Sequence, residues 1–302
     1  MSSSVDIRTQ PKSERRKAAV AATITVVLWA SSFVAIRDIG ESLSPGPMAL
    51  LRLAVAAVAL TVFVLVRSRR LPRVRGRTLA LVAAYGVLWL ALYTVALNAG
   101  EQHVDAGTAA LLVNVSPLLT AFGAGKLLGE GFPKPLIIGS FVALGGVGII
   151  ALGSGGGGDW LGVVLCLTAA VLYTAGVLIQ KVSLRTIDGL TGTWLACLAG
   201  VVVLLPWAPR LVTELATAPA GAVAGAVYLG LFPTAIGFTT WAYALHRMDA
   251  GRLSASTYAV PAVSVALSWL LLSEVPTVYG FVGGALCLVG VAISRRRVRT
   301  GE

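Results

Sequence analysis

The chain has 302 residues, of which 57% are apolar and only 12% are charged. Soluble domains carry roughly 25% charged residues, so this composition excludes a water-soluble globular protein. Apolar runs recur along the whole chain, and each is close to the ~20 residues that a helix needs to cross a bilayer. The sequence therefore predicts an all-α integral membrane protein.

The apolar runs predict ten transmembrane helices. A basic stretch before the first run resembles a signal peptide, but nine further apolar runs follow, so we interpret the first run as a retained helix. The seventh run is the weakest prediction, because it is short and ends at Pro206-Trp207-Ala208-Pro209. The predicted spans cover residues 18–36, 46–66, 78–98, 106–128, 134–153, 160–181, 190–207, 218–243, 253–273 and 277–294.

Lysine and arginine are distributed very unequally between the two sides of this predicted topology. Of the 24 basic residues, 21 fall on the side of the termini, Arg37 and Arg210 fall on the other side, and Arg52 lies within a span. Because basic loops stay in the cytoplasm, both tails (1–17 and 295–302) are predicted to be cytoplasmic. The net charge of +11 is therefore an orientation signal, and we predict no nucleic-acid partner.

The cysteines and glycines indicate neither a metal nor a cofactor. Cys166, Cys197 and Cys287 all lie in apolar runs, without metal-ligand spacing or the paired pattern of a disulfide framework. The run from Gly153 to Asp159 happens to fit the dinucleotide motif G-x-G-x-x-G. It joins two membrane spans instead of a strand and a helix, so we interpret residues 154–159 as a flexible linker.

The sequence repeats itself at a fixed shift of 144 residues. The shift aligns Pro117 with Pro261, and it aligns Glu130 with Glu274. Each copy holds five predicted helices, and an odd number turns the second copy upside down in the membrane. Inverted five-helix repeats are typical of secondary transporters, which bind substrate near the midplane between the halves. The two copies cover residues 18–153 and 160–294.

Several motifs occur in an order and spacing that resemble a known family. They are Trp29-Ala30-Ser31-Ser32-Phe33, Leu51-Arg52-Leu53, Ser116-Pro117-Leu118 through Leu128-Gly129-Glu130, and Val260-Pro261-Ala262 through Leu272-Ser273-Glu274. Together they resemble the EamA-type transporters of the drug/metabolite transporter superfamily. Two departures are Ser273-Glu274 in place of Gly-Glu and Trp29-Ala30 in place of Trp-Gly. The resemblance implies a ten-helix inner-membrane carrier, often an exporter of amino acids or other metabolites.

Two prolines at equivalent positions indicate a pathway through the membrane. Pro117 and Pro261 lie inside predicted spans four and nine, where each removes a backbone hydrogen bond. The freed carbonyl must be satisfied within the protein or by water in a cavity, so the prolines either line a pathway or serve packing alone. Asn114 and Tyr258 lie one turn earlier on the same faces, and each is either a pocket residue or a packing residue.

Aromatic residues supply further candidates for a substrate pocket. Tyr85, Trp89 and Tyr93 form a stripe along the third span, which either lines a cavity or belongs to packing or the interfacial belt. Trp29 and Tyr173 are equivalent under the repeat, and their rings could stack on a substrate or on a cationic group.

Three other residues complete the predicted substrate site. Arg52 is the one charge well inside a span, which makes it a candidate for binding an anionic group, although its side chain could instead extend outward to the interface. Trp241 is either a gate or a belt residue. Ser32 is included because it belongs to the motif that begins at Trp29.

No predicted span has an acidic residue at its centre, so no buried proton relay is visible. Coupling to protons would need Glu130 and Glu274 at helix ends, or it is absent. Small residues at Gly139 and Ala143, and at Gly280 and Gly284, indicate either close helix packing or a homodimer contact.

Two other classes of function remain as alternatives to a carrier. A membrane-embedded enzyme lacks support, because no span has paired carboxylates, a His/Asp metal cluster or a Ser–His pair. A non-transporting scaffold lacks a soluble domain to report a signal. The leading prediction is a carrier of a small-molecule substrate that works by alternating access of its two halves in the lipid bilayer.

Overall fold

The computed structural model describes residues 11–40, 42–68, 72, 74–103, 112–153, 160–272 and 278–294, and within these ranges it contains helices and no strand. We label the helical segments α1 to α10 in chain order. They are α1 Lys12–Ile39, α2 Pro45–Ser68, α3 Gly76–Gly100, α4 Ser116–Leu127, α5 Lys134–Gly153, α6 Trp160–Ser183, α7 Gly189–Thr217, α8 Ala220–Arg247, α9 Ala250–Ala255 with Ala259–Leu272, and α10 Val278–Ser294.

Five helices of the described ranges are long and apolar enough to cross a membrane, namely α2, α3, α6, α7 and α8. The outer surface of the helices carries many exposed large apolar side chains, such as Val58, Phe63 and Val66 on α2. Such an apolar outer surface is suited to contact with lipid. The predicted all-helical membrane protein is therefore confirmed, whereas the full set of ten spans stays a prediction.

The seventh helix is longer than its predicted span, which ended near residue 207. It continues to Thr217 through one turn of 3-10 helix at Leu205–Trp207. Pro206 and Pro209 each lie in the first turn of a helical segment, where the missing N–H would have no helical partner. The extension brings a carboxylate to the start of α2.

That carboxylate belongs to Glu214, and it fixes the connection between α1 and α2. It accepts hydrogen bonds from the Ser44 backbone N–H at 2.9 Å and from the Ser44 hydroxyl at 2.5 Å. Ser44 directly precedes α2, so the bond satisfies a backbone donor at the helix start. The N-terminus of α2 is thereby held against the end of α7.

The two repeats build the same irregular feature at equivalent positions. A π-helical segment interrupts α3 at Gly86–Leu92 and α8 at Gly230–Ile236, and these positions are equivalent under the repeat shift of 144 residues. A Cβ atom on Gly86 would lie 2.5 Å from the Ala196 carbonyl oxygen, and one on Gly230 would lie 2.8 Å from the Arg52 carbonyl oxygen. Arg52 and Ala196 are themselves equivalent, so each half makes the same close contact with the other half.

Glycines also allow α5 and α10 to approach closely. A Cβ atom on Gly139 would lie 2.5 Å from the Gly290 carbonyl oxygen, and one on Gly146 would lie 2.6 Å from the Gly283 carbonyl oxygen. The reversed order of these contacts means that the two helices run antiparallel. Gly284, which the sequence suggested for such a contact, faces Ala262 of α9 instead, because one residue rotates a helix position by about 100°.

Candidate substrate site

A cavity of about 70 Å³ lies among α1, α2, α3, α6 and α8, with residues of the segments around α4 and α9 completing its wall. Aromatic rings form much of its wall, and Arg52 is the one charged side chain among the described residues that line it. Phe238, Asn98 and Thr257 also line it, although the sequence did not indicate them. Seven of the eleven predicted substrate-binding residues line this cavity: Trp29, Ser32, Arg52, Trp89, Tyr93, Asn114 and Tyr173.

Trp29 is at the centre of the aromatic wall. Its ring centroid lies 5.9 Å from that of Trp89, 5.2 Å from Phe238 and 4.9 Å from Trp241. Tyr173 completes the cluster, with its ring 4.9 Å from Trp89 in an edge-to-face arrangement. Such aromatic pairs prefer these offset geometries, which fix the orientation of each ring. The five rings therefore form a rigid cluster along one side of the cavity, which we call the aromatic floor.

A glycine on α6, Gly176, leaves room for the indole of Trp89. A Cβ atom on Gly176 would lie 2.4 Å from the Trp89 Cβ atom, so a larger residue there would displace the indole. Trp241 is fully buried beneath Trp29 and does not line the cavity. Trp29 and Tyr173 are equivalent under the repeat, and both contact Trp89. The two halves therefore contribute to one aromatic cluster.

The π-helical segment of α8 supplies hydrogen-bond partners to two residues of the cavity wall, Trp29 and Arg52. Its widened turns leave carbonyl groups for side chains to satisfy. The indole N–H of Trp29 donates to the Pro233 carbonyl oxygen at 3.2 Å. The Thr234 hydroxyl donates to the Leu229 carbonyl oxygen at 2.8 Å. Neither Pro233 nor Thr234 was indicated by the sequence, because a π-helical segment has no sequence signature of its own.

Thr234 in turn orients the charged residue of the cavity. The Arg52 Nε atom donates to the Thr234 hydroxyl oxygen at 2.6 Å, which holds the side chain against α8. Among the acidic side chains that the structure describes, none forms an ion pair with Arg52. A guanidinium has five N–H donors, so its terminal nitrogens can still bind an anionic group. Planar two-point binding of a carboxylate suits this geometry.

Asn98 is the second polar group that the sequence did not indicate. Its side chain is 5% exposed and lines the cavity. Its amide nitrogen donates to the Pro45 carbonyl oxygen at 3.4 Å and contacts the Met48 sulfur at 3.8 Å, whereas its amide oxygen has no donor among the described residues. A buried acceptor without a donor is costly, which makes this oxygen a ligand-binding candidate. In the sequence it is the last residue of the predicted third span.

The two prolines lie beside breaks in their helices. Residues 114 and 115 are not helical, and Pro117 lies in the first turn of α4. A 3-10 turn at Ser256–Tyr258 likewise precedes Pro261. Both prolines are buried away from the cavity wall, whereas Asn114 lines it. Tyr258 packs between α5 and α10, outside the cavity.

The predicted coupling residue Glu130 has a helix-capping position. Its two carboxylate oxygens accept hydrogen bonds from the backbone N–H groups of Ala250 and Gly251, at 2.8 and 3.2 Å, at the start of α9. Burial raises the pKa of Glu130, and these two amides act in the opposite direction. Glu274, its repeat equivalent, lies outside the described residues.

Comparison with known proteins identifies relatives of this chain that are named as transporters. A probable terminal-alkyne amino-acid exporter of Streptantibioticus cattleyicolor is 40% identical over 93% of this chain and 94% of its own length. A probable amino-acid metabolite efflux pump of Escherichia coli K12 is 25% identical over 95% and 99%. The uncharacterized inner membrane transporter YedA of the same strain is 31% identical over 80% and 78%.

A solved crystal structure shares the fold, with a TM-score of 0.75 over 92% of this chain and 96% of the other at 19% identity. The family model described as the EamA-like transporter family matches twice, at residues 16–152 and 160–296. The family and these relatives are transporters and not enzymes. The chain belongs to the EamA-like transporter family.

Proposed function

We propose that this chain is a ten-span carrier that exports a small amino acid across the cytoplasmic membrane by alternating access. Family membership supports membrane transport of a small metabolite. Two relatives named as an amino-acid exporter and an amino-acid metabolite efflux pump support the substrate class and the direction. The relative named as an inner membrane transporter supports the location.

The repeat supports an inverted topology for this carrier. The two five-span copies cover 18–153 and 160–294, and their opposed orientation agrees with the antiparallel contact of α5 and α10. The excess of Lys and Arg on one side puts both tails in the cytoplasm. Two similar halves of opposite orientation open to either side at comparable free energy, which alternating access requires.

In this topology the aromatic floor closes the cavity on its cytoplasmic side. Along α3, Tyr93 and Asn98 lie outward of Trp89, and along α8, Trp241 lies inward of Thr234. Charged and polar contacts close the cytoplasmic ends of the helices. They include Arg247 with Glu14 at 3.1 Å, the Lys181 ammonium with the Leu245 carbonyl oxygen at 2.6 Å, and the Glu130 cap. These contacts must open for substrate to enter from the cytoplasm.

Arg52 is the observation on which the substrate class depends. A charge inside a span is costly, and this one has an ordering hydrogen bond but no carboxylate within the described ranges to neutralise it. A substrate carboxylate would supply the missing anion with two parallel hydrogen bonds. The Asn98 amide oxygen would accept from the substrate ammonium, and the aromatic rings would enclose an apolar side chain. These groups together fit a zwitterionic amino acid.

Exchange transport in proteoliposomes tests this proposal. The vesicles are loaded with unlabelled L-propargylglycine, a terminal-alkyne amino acid, and uptake of the labelled compound is measured with propargylamine as a competitor lacking the carboxylate. We expect exchange by the wild type and no competition by propargylamine. Arg52→Gln should weaken the affinity roughly 10–100-fold, because a hydrogen bond to a charged group contributes about 1.5–3 kcal/mol.

The control for this variant removes a cation from the surface. Arg210→Gln changes an exposed arginine that pairs with Glu214 outside the cavity, and we expect it to leave the affinity for L-propargylglycine unchanged. Arg52→Lys keeps the charge without the planar fork and should lie between the wild type and Arg52→Gln. Equal affinities of wild type and Arg52→Gln, with both proteins folded, would refute the carboxylate-binding role.

A further inference from the structure

One carboxylate near the cavity differs from the other described acidic side chains. The Glu101 Oε1 atom is buried and has no hydrogen-bond partner among the described residues. The other acidic residues whose side chains the structure describes each have a partner, and these are Glu14, Glu130, Asp188, Glu214 and Asp249. A buried carboxylate without a cation or donor favours its neutral, protonated form. Glu101 is therefore suited to binding a proton.

Glu101 lies directly outward of the substrate cavity. Leu97 and Asn98 line the cavity, and Glu101 follows them by four and three residues, which puts all three on one face of the helix. Its backbone N–H donates to the Leu97 carbonyl oxygen at 2.9 Å, so it still belongs to the last turn of α3. A proton on this carboxylate is thus one helical turn from the substrate.

The neighbouring elements cover the Oε1 atom of Glu101, while the residue as a whole is partly exposed. α6 packs tightly here, since a Cβ atom on Gly100 would lie 2.7 Å from the Cys166 sulfur. The titratable groups that interact electrostatically with Glu101 are Cys166 of α6 and Tyr93 of α3, and His103 follows in the same turn. Leu112 and Val113, which precede α4, pack in one apolar cluster with Leu97 and Cys166. Burial raises the pKa of Glu101 to about 7.

We propose that Glu101 binds and releases the proton that drives substrate export, an inference that rests on the proposed carrier function. In the outward-facing state the carboxylate takes a proton from the external solution. In the cytoplasm-facing state the proton leaves through the cavity to the cytoplasm. The charged carboxylate then remains until the next outward-facing state, so one proton enters for each substrate that leaves. The relevant carboxylate is Glu101 and not the helix-capping Glu130.

Comparing exchange with net accumulation isolates this role. Proteoliposomes are prepared with an interior more acidic than the bath, and labelled L-propargylglycine is added outside. In the wild type, outflow of protons should concentrate the label inside, and equal pH should abolish the accumulation. Glu101→Gln should retain exchange at equal pH and lose accumulation. Gln102→Ala, a change at the exposed neighbouring residue, should behave as the wild type. Absence of exchange in the wild type would count against the proposed function.

A substrate-free measurement tests proton binding by itself. Infrared difference spectra of the lipid-reconstituted protein, recorded across neutral pH, should contain a protonated carboxyl band that Glu101→Gln removes. Glu101→Asp should retain the band at a shifted titration midpoint and should retain accumulation. The proposal is overturned if Glu101→Gln accumulates L-propargylglycine as the wild type does, or if its infrared titration equals that of the wild type.

Discussion

Two adjacent glycines on α5 offer a matched test of the contact between the repeats. Gly146 is buried against α10, where a Cβ atom would lie 2.6 Å from the Gly283 carbonyl oxygen and 2.7 Å from the Cys287 backbone nitrogen. Gly145 is exposed, and a Cβ atom there would meet only the Leu286 side chain at 3.9 Å. Alanine at Gly146 therefore adds a methyl group to a fully packed interface, whereas alanine at Gly145 adds one to open surface.

The two variants are expected to change stability in opposite directions. At Gly146 both neighbours are backbone atoms, so the helices must separate, and overpacking of this kind costs about 1–3 kcal/mol. At Gly145 alanine is accepted without a clash, and its lower backbone entropy stabilises a helix by about 0.5–1 kcal/mol. Thermal unfolding in detergent should give a Tm several degrees lower for Gly146→Ala than for Gly145→Ala.

A Tm of Gly146→Ala equal to or above that of Gly145→Ala would contradict this packing of α5 against α10. Equal Tm values for Gly146→Ala and the wild type would mean that α5 and α10 are not in backbone contact. These two helices are equivalent, because Gly139 and Gly146 of α5 align with Gly283 and Gly290 of α10 under the repeat shift. The same glycines form their close contact. The inverted arrangement of the halves would then lose its main structural support.

Two further predictions concern residues beside the cavity and at the cytoplasmic end. Thr234→Val removes the hydroxyl that orients Arg52 while keeping its shape, so affinity for L-propargylglycine should fall about tenfold in the exchange assay; an unchanged affinity would contradict the orienting role. Glu130→Gln should lower the free energy of unfolding by about 1 kcal/mol, because it weakens the cap of α9. It should keep proton-driven accumulation, and loss of accumulation at unchanged stability would make Glu130 a coupling residue.

Much of the cavity wall follows from rules that act on sequence alone. Arg52 and Asn114 are polar groups within apolar runs, and such groups are retained there only with a partner or a role. Trp29 and Tyr173 were linked by the repeat shift, and both line the cavity with Trp89. The periodicity of one helix and the symmetry of two halves were sufficient to select these residues. Their part in binding stays a prediction.

The remaining features depend on contacts that a sequence pattern does not encode. α5 is apolar on nearly all sides, so the choice between Gly283 and Gly284 as its neighbour has no periodic signal. The π-helical segments contain ordinary apolar residues, and only tertiary contact reveals Thr234 as the partner of Arg52. Glu101 lies beyond the predicted span 78–98, and the burial of its Oε1 atom depends on the close packing of α3 against α6.

The position of a bound amino acid tests the proposed carrier most directly. An experimental structure in lipid, determined with L-propargylglycine, should contain the compound in the cavity with its carboxylate oxygens accepting from the terminal nitrogens of Arg52. Its ammonium should donate to the Asn98 amide oxygen, and its alkyne should lie against Trp29 and Trp89. A bound ligand whose carboxylate avoids Arg52, or a ligand bound outside this cavity, would contradict the proposed site.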